Sequence, residues 1–258
     1  SMICWSSIAF TSFTNIDTKC LGNITSKKGN FFKNKKFRLT IILGILTVIT
    51  GIISYNSGQR RQDINYPKEL DSVIAEVEGK EISLRDFAFY AAYEEQVVEE
   101  EAYVYEPGNT SKYWNLHIDG EFVRIAARNS AVDMAIHDEI FYSMAVEDGI
   151  TLDEEEQEFL ANSQMDFLSD LSDYEGLEKL GVDEETICTS MEKVALAQKY
   201  QEIYAELNNK DVSDYDFNAK AYKALLAEKE YKINEDVLKR LVFGNITLGH
   251  RKEDRNGK

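Results

Sequence analysis

From Leu39 to Gln59 the chain carries no charged residue, and the core of that run, Leu39 to Ile53, reads LTIILGILTVITGII. Beyond Pro67 the pattern changes to short periodic stretches. Val73 to Val77 alternates loosely with β-favouring residues. Glu78-Gly79 supplies a turn in which Gly79 takes positive φ, and Lys80 to Ile82 returns as a second strand. Ser83-Leu84-Arg85-Asp86 has the form of a capping box, in which the serine hydroxyl and the aspartate each satisfy an unpaired backbone amide. The helix it opens carries Phe87, Tyr90, Val97 and Val98 on roughly one face, and Pro107-Gly108 stops it. Residues 106–120 read as a loop, with Asp119 placed to cap the next helix. There Phe122, Ile125, Ala126, Val132, Ile136 and Ile140 recur at three- and four-residue steps, continue to Ala145 and Val146, and meet Gly149 as a C′ residue. So long a helix has a natural place to break at Asn129-Ser130.

Thr151-Leu152-Asp153-Glu154 predicts a second capping box, ahead of a helix with Phe159, Leu160, Phe167 and Leu168. Asp183 caps a further helix, striped by Ile187, Met191 and Val194 and then by Leu196, Tyr200, Ile203 and Leu207. After Asn208-Asn209 the pattern loosens. Phe217, Tyr222, Leu225 and Leu226 fit a short helix, and Val237 to Phe243 fits helix or strand. Gly244 to Leu248 reads as extended, free to join the 73–82 hairpin.

The expected fold is therefore mostly α with a small β-hairpin, behind an N-terminal transmembrane helix. The organisation is a basic leader (1–38), a transmembrane or signal-anchor helix (39–59), a linker (60–72), a helical domain (73–207) and a C-terminal strap (208–258). Spanning a bilayer takes about 20 residues, which the uncharged run meets. Lys27, Lys28, Lys33, Lys35, Lys36 and Arg38 precede it, and Arg60 and Arg61 follow. That bias puts the leader in the cytoplasm and the body outside, on a single-pass protein of the cell membrane. Cleavage as a signal peptide is the rival reading and would release the body, though Ser54-Tyr55-Asn56-Ser57-Gly58 is a poor cleavage site. Residues 1–30 are long for a signal n-region and contain Ile3, Trp5, Phe10 and Phe13. They fit either a cytoplasmic leader or sequence from upstream of the natural start.

Charge sharpens this division. Residues 1–59 hold seven Lys/Arg against one Asp, and residues 60–258 hold 22 Lys/Arg against 45 Asp/Glu, so the net changes from +6 to −23. A body so acidic repels polyanions, which argues against nucleic acid as a partner and against an anionic lipid surface. Cys4 and Cys20 precede the apolar run and Cys188 follows it, so a membrane between them leaves the body with one thiol and no internal disulfide.

Motifs for catalysis are sparse. His117, His137 and His250 share no metal-ligand spacing, and no glycine-rich phosphate loop, nucleophile elbow or C-x-x-C is present, so neither cofactor nor metal is expected. His137 reads as a satisfied surface histidine and Cys188 as a buried thiol. The runs Glu99-Glu100-Glu101 and Asp153 to Glu156 lack the alternation of a calcium loop and read as solvated helix faces. Asn109-Thr110-Ser111 and Asn245-Ile246-Thr247 match the glycosylation pattern, which matters only in a eukaryotic secretory setting. What stands out is aromatic content in and after the first helix: Phe89, Tyr90, Tyr93, Tyr103, Tyr105, Tyr113 and Trp114. Such rigid, amphipathic groups either pack helices together or line a groove for an extended, partly apolar polypeptide.

Three segments carry a resemblance. VIAEVEGKEISLRDF, Val73 to Phe87, resembles the opening of the N-terminal domain of SurA/PrsA-type foldases: a short strand, an x-V-x-G-x-x-I turn, then Ser and a helix. AVDMAIHDEIFYSMAVEDGITLDEEE, Ala131 to Glu156, resembles that domain's long helix, its Gly-Ile turn and the acid-rich start of the next helix. LEKLGVDEETICTSMEKVALAQKY, Leu177 to Tyr200, resembles the segment leading into its last long helix. The likeness covers residues 70–207 and implies a SurA N-terminal or trigger-factor-like helical domain. It also implies a bacterial extracytoplasmic chaperone that holds unfolded or exported polypeptide without ATP. Residues 208–258 lack the histidine-rich, glycine-punctuated pattern of a parvulin domain, so the resemblance carries over no catalytic residue. Two alternatives stay open: a non-catalytic assembly protein binding one partner of the cell envelope, and a diverged peptidyl-prolyl isomerase.

Overall fold

The computed structural model describes residues 63–250, which lie within one compact unit. The leader 1–38, the apolar run 39–59 and residues 251–258 lie outside the described residues. Among the described residues no helix is long and apolar enough to cross a membrane.

The body is mostly helical with a small antiparallel sheet. Strands β1 (Val73–Val77) and β2 (Lys80–Ser83) form the expected hairpin, with Ala75 opposite Ile82 and Val77 opposite Lys80. Its two turn residues, Glu78 at φ 50° and Gly79 at φ 79°, both sit in the left-handed region. That is the turn hand which matches the twist of the flanking strands. The first long helix, α1 (Leu84–Tyr105), starts at the Ser83 capping box. The Asp86 amide donates to Ser83 Oγ at 3.3 Å and the Ser83 amide to Asp86 Oδ2 at 3.0 Å.

A short helix α2 (Ser111–Trp114) and a minimal hairpin, β3 (His117–Ile118) and β4 (Glu121–Phe122), occupy what reads as loop in the sequence. Asp119 does not cap the following helix. It sits with Gly120 in the hairpin turn, both at positive φ, and the cap position falls to Phe122, which makes no side-chain cap. Helix α3 (Val123–Glu147) runs unbroken through Asn129-Ser130. The Asn129 amide is drawn to Glu121 Oε1 at 3.1 Å and does not compete with the helix backbone. Gly149 closes α3 as a Schellman turn: its amide donates to Val146 O at 3.2 Å, and the Ile150 amide reaches Ala145 O at 2.9 Å.

Helix α4 (Glu154–Asp173) is capped by the Asp153/Glu156 pair, two residues beyond the Thr151 box. The Thr151 carbonyl instead accepts from Lys199 Nζ at 3.0 Å. After α5 (Gly176–Leu180), Asp183 caps α6 (Glu184–Leu207) as expected, accepting from the Thr186 amide at 2.9 Å. Helices α1, α3 and α6 pack on one another, and α3 also backs the sheet. Because α3 has neighbours on several sides, it is buried nearly all round from Ala131 to Phe141. That shifts the inside away from the expected stripe: Phe122 and Val146 are exposed, while Phe141 and His137 lie in the core.

The C-terminal part makes α7 (Lys220–Leu226), β5 (Tyr231–Ile233) and α8 (Glu235–Leu238). The strand that joins the hairpin is β5, paired to β1 through Ala75–Ile233 and Val77–Tyr231, and not residues 244–248. Those residues form an irregular loop over α1. Two further expectations change. His137 is buried rather than on the surface, its Nδ1 2.8 Å from Asp138 Oδ1 and its Nε2 2.9 Å from Tyr215 O. Cys188 is half-buried, since its face of α6 is only partly covered.

Candidate functional site

Helix α4 is the least covered of the long helices, with only Phe167 and Leu171 buried. Few anchors hold it. Gln164 Nε2 donates to Cys188 O at 3.1 Å, Lys199 Nζ reaches Glu156 Oε2 at 2.6 Å, and Phe167 packs on Phe89 with ring centroids 5.2 Å apart. The acid-rich sequence of α4 supplies too few apolar positions to close it onto α6 along its length.

The result is a cleft of about 590 Å³ between α4 and α6, floored by Phe89 of α1. Phe159, Leu160, Met191, Val194 and Ala195 make its apolar wall; Asp153, Glu155 and Glu202 stand at its edge with the paired Glu156 and Lys199. Phe159 is 73 % exposed and Met165, on the same helix, 65 %. Phe159 stands on the wall of this cleft, whereas Met165, six residues on, lies on a different face of the helix. A second cleft, about 510 Å³, opens where Gln96, Glu99, Glu100, Tyr103 and Val104 of α1 face Asp170 and Asp173 at the end of α4 and Tyr174 beyond it.

The seven aromatic residues expected to hold a ligand divide into four groups. Phe89 floors the first cleft, and Tyr93 stacks on it at 5.8 Å while remaining 42 % exposed. Tyr103 lines the second cleft. Tyr105 and Tyr113 pair at 5.5 Å by the end of α1, where Tyr113 Oη donates to Glu101 Oε2 at 2.9 Å. Tyr90 and Trp114 are buried in the core. Phe159, Met165, Met191 and Val194 were not among the seven. Their helical stripes are visible in the sequence, but nothing in it shows that the stripe on α4 would stay uncovered.

Beside these clefts lies a dense polar clasp. Glu95, fully buried, accepts from the amides of Gly244, Ile246 and Thr247 at 2.6, 3.0 and 2.7 Å and from Thr247 Oγ1 at 2.6 Å. Burial pushes its carboxyl up and these bonds oppose the rise, leaving it above the usual range. Gly244 has no room for a side chain, because at φ +83° a Cβ would meet the Trp114 ring at 2.7 Å. Trp114 Nε1 donates to Glu99 Oε2 at 2.8 Å, and His250 Nε2 stands 3.0 Å from the same oxygen. At Glu99 burial favours the neutral acid, but bonds from His250, Trp114 and Thr110 outweigh it and hold the carboxyl below the usual range. Every group in this clasp is engaged, so it reads as a fastening and offers no free acid or base. Among the described residues no three His, Cys, Asp or Glu side chains converge to hold a metal ion.

One carboxyl is set for a pH effect. Burial, reinforced by Glu101 and opposed by a bond from Ser130, pushes Glu94 up to about 7. The folded state then binds a proton that the unfolded chain releases near its ordinary value of 4.5, so stability falls as pH rises from that value to about 7. The shift has a ceiling of about 3 kcal/mol, and solvent screening at this half-buried site reduces it to about 1–2 kcal/mol. Glu94→Gln is expected to be more stable than the native chain at pH 8 by that amount, and equal to it at pH 4.5. Urea midpoints at the two pH values measure this, and equal midpoints at pH 8 would refute it.

Compared with known proteins, the chain matches no family model, no curated protein and no solved structure.

Proposed function

We propose that this is a membrane-tethered, extracytoplasmic chaperone-like protein that holds unfolded or exported polypeptide without ATP, with the α4–α6 cleft as its holding surface. The observation that carries the proposal is the open apolar cleft, with Phe159 on its wall left largely in water. Burial of client apolar area supplies the driving force and needs no nucleotide. The resemblance of residues 70–207 to the SurA N-terminal domain supports the reading, as does the strand–helix order β1, β2, α1 with its capping box. The tether rests on the uncharged run 39–59 and its basic flank. The isomerase alternative would draw support from a four-stranded sheet beyond Leu207, and residues 208–250 hold the single strand β5.

The full-length chain in nanodiscs is expected to suppress light scattering by an aggregating, partly apolar client at near-stoichiometric ratio. Phe159→Asp removes burial of about 1.5–3 kcal/mol at the surface, so about ten- to a hundredfold more protein is needed for the same suppression. Because Phe159 is 73 % exposed, its replacement leaves the folded body intact, which circular dichroism checks. No suppression at several-fold excess of native protein would sink the proposal. Undiminished suppression by Phe159→Asp would move the surface elsewhere.

A further inference from the structure

His137 has an acceptor at each ring nitrogen. Asp138 Oδ1 lies 2.8 Å from its Nδ1, and the Tyr215 carbonyl oxygen 2.9 Å from its Nε2. A carboxylate and a carbonyl only accept, and a neutral imidazole carries a single N–H. With that proton on Nδ1, the Nε2 lone pair faces the Tyr215 oxygen. With it on Nε2, the Nδ1 lone pair faces the Asp138 carboxylate. Either way two acceptors touch with no proton between them. His137 is 6 % and Asp138 8 % exposed, so water does not relieve the conflict. Both contacts are made together only when the pair holds one proton more, as imidazolium beside carboxylate or as imidazole beside carboxylic acid. The pair is then neutral as a whole, which burial favours.

The neighbouring charges favour the same proton. Asp133, one turn back on α3, and Asp138 both act on the hydroxyl of Tyr222 of α7, whose ring lies 4.8 Å from the imidazole. Burial and these carboxylates push that hydroxyl up and keep it neutral. Tyr90 of α1, also beside Asp138, is held neutral in the same way, and so is Tyr204 of α6, by burial and Tyr215. Glu139, next along α3, is turned to Lys193 and Lys80. Lys223 of α7 is the cation on this side, and it acts on Asp133.

The two acceptors differ in what they are tied to. Asp138 is the next residue on α3 and stays with the ring. Tyr215 ends the turn Val212–Tyr215, 78 residues on, and packs with Tyr222 against the Phe141 ring. Gln201 Nε2 also holds that turn, through Val212 O at 3.1 Å and Asp216 Oδ1 at 3.2 Å. Loss of the extra proton leaves Nδ1–H on Asp138 and sets the Nε2 lone pair against the Tyr215 carbonyl, so the strain falls on the C-terminal segment.

We propose that His137 and Asp138 form a proton-operated latch, which fastens residues 212–226 over the Phe141 cluster and releases them when alkaline solvent removes the shared proton. The latch is independent of the polypeptide-holding reading. Its sign is fixed: the contact is present at low pH and lost as pH rises. Release loosens the cover over Phe141 and Tyr204, a patch of aromatic surface far in sequence from the α4 stripe.

Hydrogen exchange on the full-length chain in nanodiscs tests it, with exchange times scaled to the intrinsic rate at each pH. Between pH 6 and pH 9 the amides of 212–226 are expected to lose protection about ten- to a hundredfold relative to those of α3, the loss of one charge-assisted bond. Asp138→Asn supplies an N–H to Nδ1 without a titrating proton, so Nε2–H stays on Tyr215 and the segment stays protected at both pH values. Glu94 and His250 titrate unchanged in that variant, so neither can imitate the result. A second reading needs no variant: in the ¹⁵N-histidine spectrum of the native chain, His137 Nε2 should carry a proton at pH 6 and none at pH 9. Protection of 212–226 that ignores pH, an equal loss in Asp138→Asn, or a protonated Nε2 at pH 9 would each overturn the latch. If Asp138→Asn does not fold, the native exchange and the spectrum decide.

Discussion

Glu95→Ala is expected to destabilise the body by about 3–5 kcal/mol, because it strips four donors of their acceptor in a place water does not reach. The amides of Gly244, Ile246 and Thr247 and the Thr247 hydroxyl all converge on the two Glu95 oxygens. No other bond holds that loop so firmly. Lys179 Nζ to Thr247 O at 2.7 Å and Arg124 Nη1 to Phe243 O at 2.9 Å secure its carbonyls, not its amides. Glu95→Gln keeps the shape but turns an NH₂ toward donors, so it is expected to recover little. The urea midpoint gives the size of the effect. Hydrogen exchange gives its place: protection at residues 244, 246 and 247 should vanish before that of α3. A midpoint within about 1 kcal/mol of native, with those amides still protected, would show that the clasp is dispensable.

Phe141→Ala is expected to cost about 3–5 kcal/mol as well, for a different reason: it opens a cavity where three parts of the chain meet. The Phe141 ring is fully buried, with centroids 4.9 Å from His137, 5.9 Å from Tyr204, 6.4 Å from Tyr215 and 6.3 Å from Tyr222. His137 belongs to α3, Tyr204 to α6, and the two other tyrosines to the C-terminal segment, so no one element can move in to fill the space alone. Phe141→Leu, which keeps most of the volume, should cost under about 1.5 kcal/mol. Thermal unfolding of the two variants separates them; equal losses would mean that the ring geometry, and not the volume, matters there.

The parts of the fold legible in the sequence were those with local causes. The hairpin turn at Glu78-Gly79, the capping box at Ser83, the cap at Asp183 and the closing turn at Gly149 each depend on a few adjacent residues, and each stands where expected. What failed depended on distant neighbours. The inside of α3 could not be read as one stripe, because α1, α6 and the sheet cover different sides of it. His137 looked exposed beside two acids. Yet it is buried because Tyr215, 78 residues later, brings a carbonyl to its second nitrogen. The clasp was invisible for the same reason: Glu95 lies in an acid-rich helix, and its partners lie some 150 residues on. Of the aromatic set, Phe89 and Tyr103 line the clefts and Tyr93 stacks on Phe89, while Tyr90 and Trp114 pack the core. A periodic pattern shows that a face is apolar. It does not show whether another element arrives to cover it.

The return of the chain to its own beginning sets an order of events during synthesis. Ile64 N donates to Arg240 O at 3.0 Å, Glu69 takes a two-pronged bond from Arg240, β1 waits for β5, and Glu95 waits for Thr247. Helices α1, α3 and α6 can each wind as soon as they emerge, but the sheet lacks its third strand and Glu95 its partners until nearly the whole body has been made. A nascent chain halted at Leu207 would therefore carry an unpaired buried acid and an open aromatic cluster. For most of its own translation, the protein is itself an unfinished polypeptide with apolar surface to hide.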